Sequence, residues 1–273
     1  MQQVAQGQWH ELIELKAGEI SFKALTFGLS ESTFTWLHKA ATDTLPCASY
    51  LKRINKITDS ACNICGHRPE SLKHILNCCQ YSLINGRYTW RHNTVLHYLV
   101  SALTEDLLPS NEIAILVDLP NNPLIPTPGQ PTVRTIPEDI LITELRPDLS
   151  IINRKKKEIR IVELSICWDQ DHERARRRKE DRYEPLIAEL LERGWKSTLI
   201  TIEIGARGFT ANDTASSLKT LFHDKKRRTT HLKNMNKLAI SCSHKLFIER
   251  NNPLWLPTST NYLTLFSPSP EHL

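Results

Sequence analysis

The stretch "RPDLSIINRKKKEIRIVE", Arg146 to Glu163, decides the fold. Two apolar, β-branched runs flank a four-residue basic tip, Arg154–Lys157. This predicts a β-hairpin with strands over residues 140–153 and 158–168. Side chains alternate faces along a strand, so Ile159, Ile161, Glu163, Ser165 and Cys167 share one face of the second strand. Glu163 therefore points into a layer that should be buried, where a carboxylate is costly unless it is paired or holds a cation. Asp148 opens the neighbouring strand. The hairpin brings the two acids into one region, where they can share a hard divalent ion such as Mg²⁺. Such an ion activates water and stabilises the charge that develops in phosphodiester cleavage.

Downstream the pattern stays α/β. Asp169 or Asp171 is placed to cap a helix that runs to about Arg193, where Gly194 stops it. On that helix Ala175, Lys179, Tyr183, Leu186 and Leu190 form one stripe. Lys179 thus faces the sheet and can reach back to the acids, while Arg182 lies about 60° round the helix. A third strand over 196–204 ends in "GARG", and helices are expected over 213–222 and 229–250, closed by Pro253. Pro147-Asp148 followed by Glu163-x-Ser165 has the layout of the PD-(D/E)xK nuclease core. Serine stands where that core carries lysine, and Lys179 is the replacement cation, with Arg182 as competitor. The expected fold is an α/β nuclease core of this restriction-endonuclease-like class.

Upstream the chain reads as mainly helical. Residues 8–50 carry apolar side chains at spacings of three and four, with Ser30 or Ser32 as N-cap and Pro46 at the end. "CNICGHRPESLKHILNCC" follows, with Cys62 and Cys65 separated by two residues, His74 eight further on and Cys79 four beyond that. This set suits a closed, structural zinc site, with Cys78 the alternative to Cys79 and His67 the alternative to His74. Residues 87–104 form an amphipathic helix. Six prolines and one glycine over residues 119–137 then mark an extended linker. The expected organisation is a helical lead-in (1–50), a zinc knuckle with nucleic-acid-binding helices (51–118), the linker (119–137), the nuclease domain (138–253) and a tail (254–273).

Composition narrows the function. The 273 residues are 40% hydrophobic and 24% charged, the balance of a globular protein. The longest apolar runs are too short to span a bilayer, and the first residues lack the basic start and apolar centre of a secretory signal. Seven cysteines in a reducing compartment point to metal ligands or free thiols. Cys47, Cys167 and Cys242 read as small buried hydrophobes. The net charge of +5 is concentrated in RKKK (154–157), RARRRK (174–179) and KKRR (225–228). Three such clusters point to a polyanion, DNA or alternatively RNA. KKRR also has the composition of a nuclear localisation signal, and equally of a solvated helix start.

Taken in order, these motifs resemble the C-terminal region of non-LTR retrotransposon polyproteins that carry a restriction-enzyme-like endonuclease. The likeness runs from about residue 40 to 250. "DTLPCASYLKR" and "KITDSACNICGHRPESLKHIL" resemble the lead-in and CCHC knuckle, and "RYTWRHN" the segment after it. "RPD" with Glu163 resembles the K/R-P-D…E signature, "RKEDRY" the K-x-x-K-Y helix and "GARG" the turn after the third strand. The resemblance implies that the knuckle and the segment with Arg91 and His92 help to hold DNA, while Lys155, Lys156, Lys157, Arg177 and Arg178 are the candidate nucleic-acid contacts of the basic clusters. It also implies that Asp148 and Glu163 carry Mg²⁺-dependent nicking with Lys179, and that the protein works in the nucleus. Arg182 stands at the second lysine of K-x-x-K-Y. Arginine seldom gives up its proton, so it cannot replace a lysine that acts as an acid. The chain has no Asp-Asp pair for a polymerase palm, so the expectation is an endonuclease region without the reverse transcriptase. No residue demands a particular oligomer.

Overall fold

The computed structural model describes residues 25–107, 112–119, 135–210 and 212–255. Most of the proposed linker, the start of the lead-in and the tail lie outside them. Among the described residues the fold is mixed α/β: an open four-stranded sheet with helices on both faces.

The strands are β1 (Ile113–Val117), β2 (Leu149–Asn153), β3 (Glu158–Cys167) and β4 (Lys196–Gly205), in spatial order β1-β2-β3-β4. β1 and β3 both run antiparallel to β2, and β4 runs parallel to β3. The parallel step needs a crossover, and α5 (His172–Glu192) supplies it. β3 is one of the two inner strands, and its run of Ile, Val and Leu suits burial on both faces.

Alternation along β3 divides the core. Ile159 and Ile161 pack with Ile152 and with Tyr183, Leu186 and Leu190 of α5. Val162 and Leu164 face the other way, onto α4 (Arg87–Leu107), α6 (Asn212–Leu221) and α7 (Lys225–Ile248). A third cluster joins α1 (Glu31–Ala41), the Cys/His segment and the C-terminal half of α7. Between α1 and α4 lie two short helices, α2 (Ala48–Arg53) and α3 (Gln80–Ile84), and a π-helical turn over His74–Cys78.

Several expectations need correction. The first hairpin strand starts at Leu149, not residue 140. Residues 137–141 instead make a turn in which the Ile140 and Leu141 N–H groups donate to the Pro137 carbonyl. Pro147, which lacks an N–H, then bars an earlier start to the ladder. α7 begins at Lys225, not 229, because the Asp224 carboxylate accepts from the Arg227 N–H at 2.7 Å and caps the helix. The linker does not separate two packing units: β1 pairs with β2 and α4 covers the sheet, although both precede residue 119. Ser30 caps α1 as expected, its hydroxyl accepting from the Thr33 N–H.

Candidate functional site

Among the described residues, two centres adjoin α4, one touched by Tyr88 and the other by His92. The first is the Cys/His cluster. The Cys62 N–H donates to the His67 carbonyl at 2.8 Å and the Gly66 N–H to the Cys62 carbonyl at 2.9 Å. This tight turn, with Gly66 at φ +73°, aims both cysteines at one point. The π-helical turn brings His74 and Cys79 to the same point, so that one ligand atom from each of the four residues lies within 4.8 Å of all the others. Cys65 Sγ is 3.3 Å from His74 Nε2. Backbone N–H groups of Ile64 and Cys65 point at the Cys62 sulfur, and those of His67 and Gln80 at Cys65. Such donors favour thiolate, the form that binds metal. Without a metal, burial pushes the Cys62 thiol up to about 12. Both alternatives fall away: Cys78 is exposed outside the cluster, and His67 stacks on the His74 ring at 4.6 Å.

The second centre is the acid pair. The register places Leu149 opposite Val162, so Asp148 and Glu163 stand opposite each other one step further along. Glu163 is 1% exposed. One of its oxygens, Oε1, accepts the Asp148 N–H at 3.1 Å, and the other is ion-paired with the Lys179 ammonium. Asp148 Oδ2 accepts the Leu164 N–H at 2.8 Å and lies 3.3 Å from His92 Nε2. Asp148 Oδ1 has no hydrogen-bond partner among the described residues.

The two carboxylates differ in proton affinity. Burial, and then the charge of Asp148, holds Glu163 above the ordinary glutamate value, with Lys179 opposing. Burial also raises Asp148, but the His92 bond and charge and the charge of Lys179 outweigh it and hold Asp148 low. The two acids offer only oxygen, the donor type that hard cations take, and Asp148 Oδ1 is their one carboxylate oxygen without a hydrogen-bond or ion-pair partner among the described residues.

The acids adjoin a cleft of about 1240 Å³. Leu164, Ser165 and Ile166 form part of its floor; Lys179 and His92, which hold the two acids, are in its walls. Along one side α5 presents Arg174, Arg177, Arg178 and Arg182, all exposed. Arg177 is paired with Glu173. Arg174 and Arg178 have no carboxylate partner among the described residues. Arg174, Arg178 and Arg182 thus offer cationic groups to the cleft, whose lining also holds Asp171, Glu173 and Asp181, while Arg176 of the RARRRK cluster pairs with Asp213.

The remaining predicted residues sort by position. Lys179 faces the sheet and Arg182 faces out over the Tyr183 ring, so Lys179 holds the acid and Arg182 does not. Arg91 is not a phosphate contact. It is 1% exposed and donates to the Ser243 hydroxyl and to the Leu76 carbonyl, and burial pulls its guanidinium down to about 10. His92 meets Asp148 and stays partly open to the cleft. Lys155, Lys156 and Lys157 are exposed, but they crown the opposite end of the hairpin, roughly 20 Å from the acids at the rise of a strand. They do not line the cleft. Asp169 caps no helix: its carboxylate pairs with Arg207 at 2.7 Å and accepts the Arg207 and Phe209 N–H groups, clamping the GARG turn. Asp171 precedes α5 but pairs with Lys73 at 2.7 Å in place of a side-chain cap.

Sequence reasoning missed the His92–Asp148 contact and the Asp169–Arg207 pair. A lone histidine on an amphipathic helix gives no local sign of a partner 56 residues away. Compared with known proteins, the chain matches no family model and no curated protein.

Proposed function

We propose that the chain is a Mg²⁺-dependent DNA endonuclease of the PD-(D/E)xK kind, akin to the endonuclease region of non-LTR retrotransposon polyproteins. The observation that carries this reading is the meeting of Asp148, Glu163 and Lys179 beside a cleft walled by arginines. The hairpin and helical crossover agree with a restriction-endonuclease-like core, and the Cys/His set with a structural zinc knuckle. The working compartment under this reading is the nucleus, and the partner is DNA.

Asp148 and Glu163 would hold the divalent ion, which when bound supplies Lewis-acid stabilisation of charge on the phosphate. The chain's own residues do the rest. Arg174, Arg178 and Arg182 bind backbone phosphates flanking the scissile bond. Lys179 keeps Glu163 ionised in a buried setting. With a divalent ion held by the two acids, the Lys179 ammonium would be placed to orient the incoming water and balance the phosphate charge. Ser165 supplies only a hydroxyl where lysine is customary, so Lys179 alone carries this role.

Ser165 also favours a second reading, a binding module without cleavage. Conversion of supercoiled plasmid to open circle, with Mg²⁺ or EDTA, separates the two. Cleavage lost in Lys179→Met supports the nuclease. Salt-sensitive binding with no cleavage at any Mg²⁺ concentration supports the binding module.

A further inference from the structure

We propose that His92 is a positioning residue for the metal-binding carboxylate of Asp148, fixed in place by the Cys/His segment through α4. The inference rests on the nuclease reading above and adds to it a residue from outside the hairpin and crossover.

Three side chains on one face of α4 form successive contacts. Tyr88 accepts the Cys79 N–H at 2.9 Å and donates to the Ile75 carbonyl at 2.9 Å, tying the helix to the metal cluster. Arg91, three residues on, donates to the Leu76 carbonyl at 2.8 Å and reaches toward the Ile166 carbonyl on β3. Asn77 donates to that same Ile166 carbonyl at 3.1 Å. His92 then places Nε2 at 3.3 Å from both Asp148 Oδ2 and the Leu164 carbonyl. Both neighbours are acceptors, so Nε2 carries a proton and donates. Residues three and four apart share a helix face, so one rigid element presents all three contacts.

The consequence for Asp148 is directional. His92 and the Leu164 N–H both engage Oδ2, which leaves Oδ1 as the oxygen available to a cation. Hydrogen bonds to a ligating carboxylate fix its orientation, and removing such a partner typically costs about 10–100-fold in metal affinity. A methionine at 92 fills similar space without a donor. A glutamine retains an N–H.

The test is Mn²⁺ binding to the full chain, followed by electron paramagnetic resonance, with zinc bound throughout. His92→Met is expected to weaken Mn²⁺ binding about 10–100-fold. His92→Gln should bind close to wild type, and both should retain their zinc. Should the methionine variant not fold, His92→Asn, whose amide is one methylene shorter than that of glutamine, is expected to show the same loss. Mn²⁺ affinity unchanged in His92→Met, or lost equally in His92→Gln, would overturn the proposal. Glu163→Gln and Asp148→Asn serve as references. If both still bind Mn²⁺ as wild type does, the cation site itself is misassigned and the nuclease reading fails along with the inference. If they lose it while His92→Met does not, only the role of His92 fails.

Discussion

Glu163 is a carboxylate withdrawn from water, and its stability depends on the ammonium of Lys179. Removing one partner of a buried pair leaves an uncompensated charge and costs about 3–5 kcal/mol, whereas replacing both leaves little to compensate. Lys179→Met should therefore lower the urea midpoint more than Lys179→Met/Glu163→Gln does. The reverse order would show that the pair adds nothing to the folded state. Buried histidines give the residue scale its pH dependence. Burial holds His172, His231 and His244 below the ordinary histidine value of about 6.5. The unfolded chain therefore takes up protons first as pH falls. Their contribution to stability is intact above about pH 6.5 and is lost progressively below it. Denaturant titrations from pH 7.5 to 5 should show a falling midpoint, and His231→Gln should reduce the slope. Lys179 was legible in the sequence because a stripe of apolar residues placed it on the inner face. Arg91 and His92 were not, because their partners lie on strands and turns that only the tertiary fold brings to α4.

At the scale of elements, the GARG turn depends on space. A Cβ at residue 205 would collide with the Asp169 carboxylate, and one at Gly208 would press on Ile240, where φ is also +85°. Gly205→Ala should cost about 1–3 kcal/mol, the usual penalty of overpacking, read as a lower melting temperature. An unchanged melting temperature would mean that Asp169 can move away from Arg207 freely. The Cys/His segment makes an equally local prediction. The chain should bind one zinc, and Cys65→Ser should release it with loss of the fold around His74–Cys79, seen by mass spectrometry and by proteolysis there. Zinc retained in that variant would remove Cys65 from the ligand set. The four residues of the cluster were legible because their spacing is itself the signal, and the structure agrees with the sequence's preference for Cys79 over Cys78. Strand β2 was overextended because the apolar Ile140 and Leu141 belong to a buried turn, which periodicity alone does not distinguish from a strand.

For the whole molecule, charge has two addresses. The α5 wall faces the cleft beside the acids, and the hairpin tip lies at the other end of the sheet. DNA binding through the cleft should fall with salt in proportion to the phosphates contacted, with a log–log slope near −0.9 for each. Arg178→Ala and Arg182→Ala should each reduce that slope by about 1. Substituting Lys155, Lys156 and Lys157 together should leave cleavage intact. Loss of cleavage in that triple variant would place DNA across the sheet and away from the cleft. The basic clusters were legible as sequence, but their separation was not, since it follows from which end of the hairpin each occupies. The most direct measurement is nicking of supercoiled plasmid in Mg²⁺ by the purified chain beside Asp148→Ala. The expected result is open-circle product that requires Mg²⁺ and disappears in the variant. Product that survives Asp148→Ala, or no product from the wild-type chain while it binds DNA, would contradict a nuclease centred on Asp148 and Glu163.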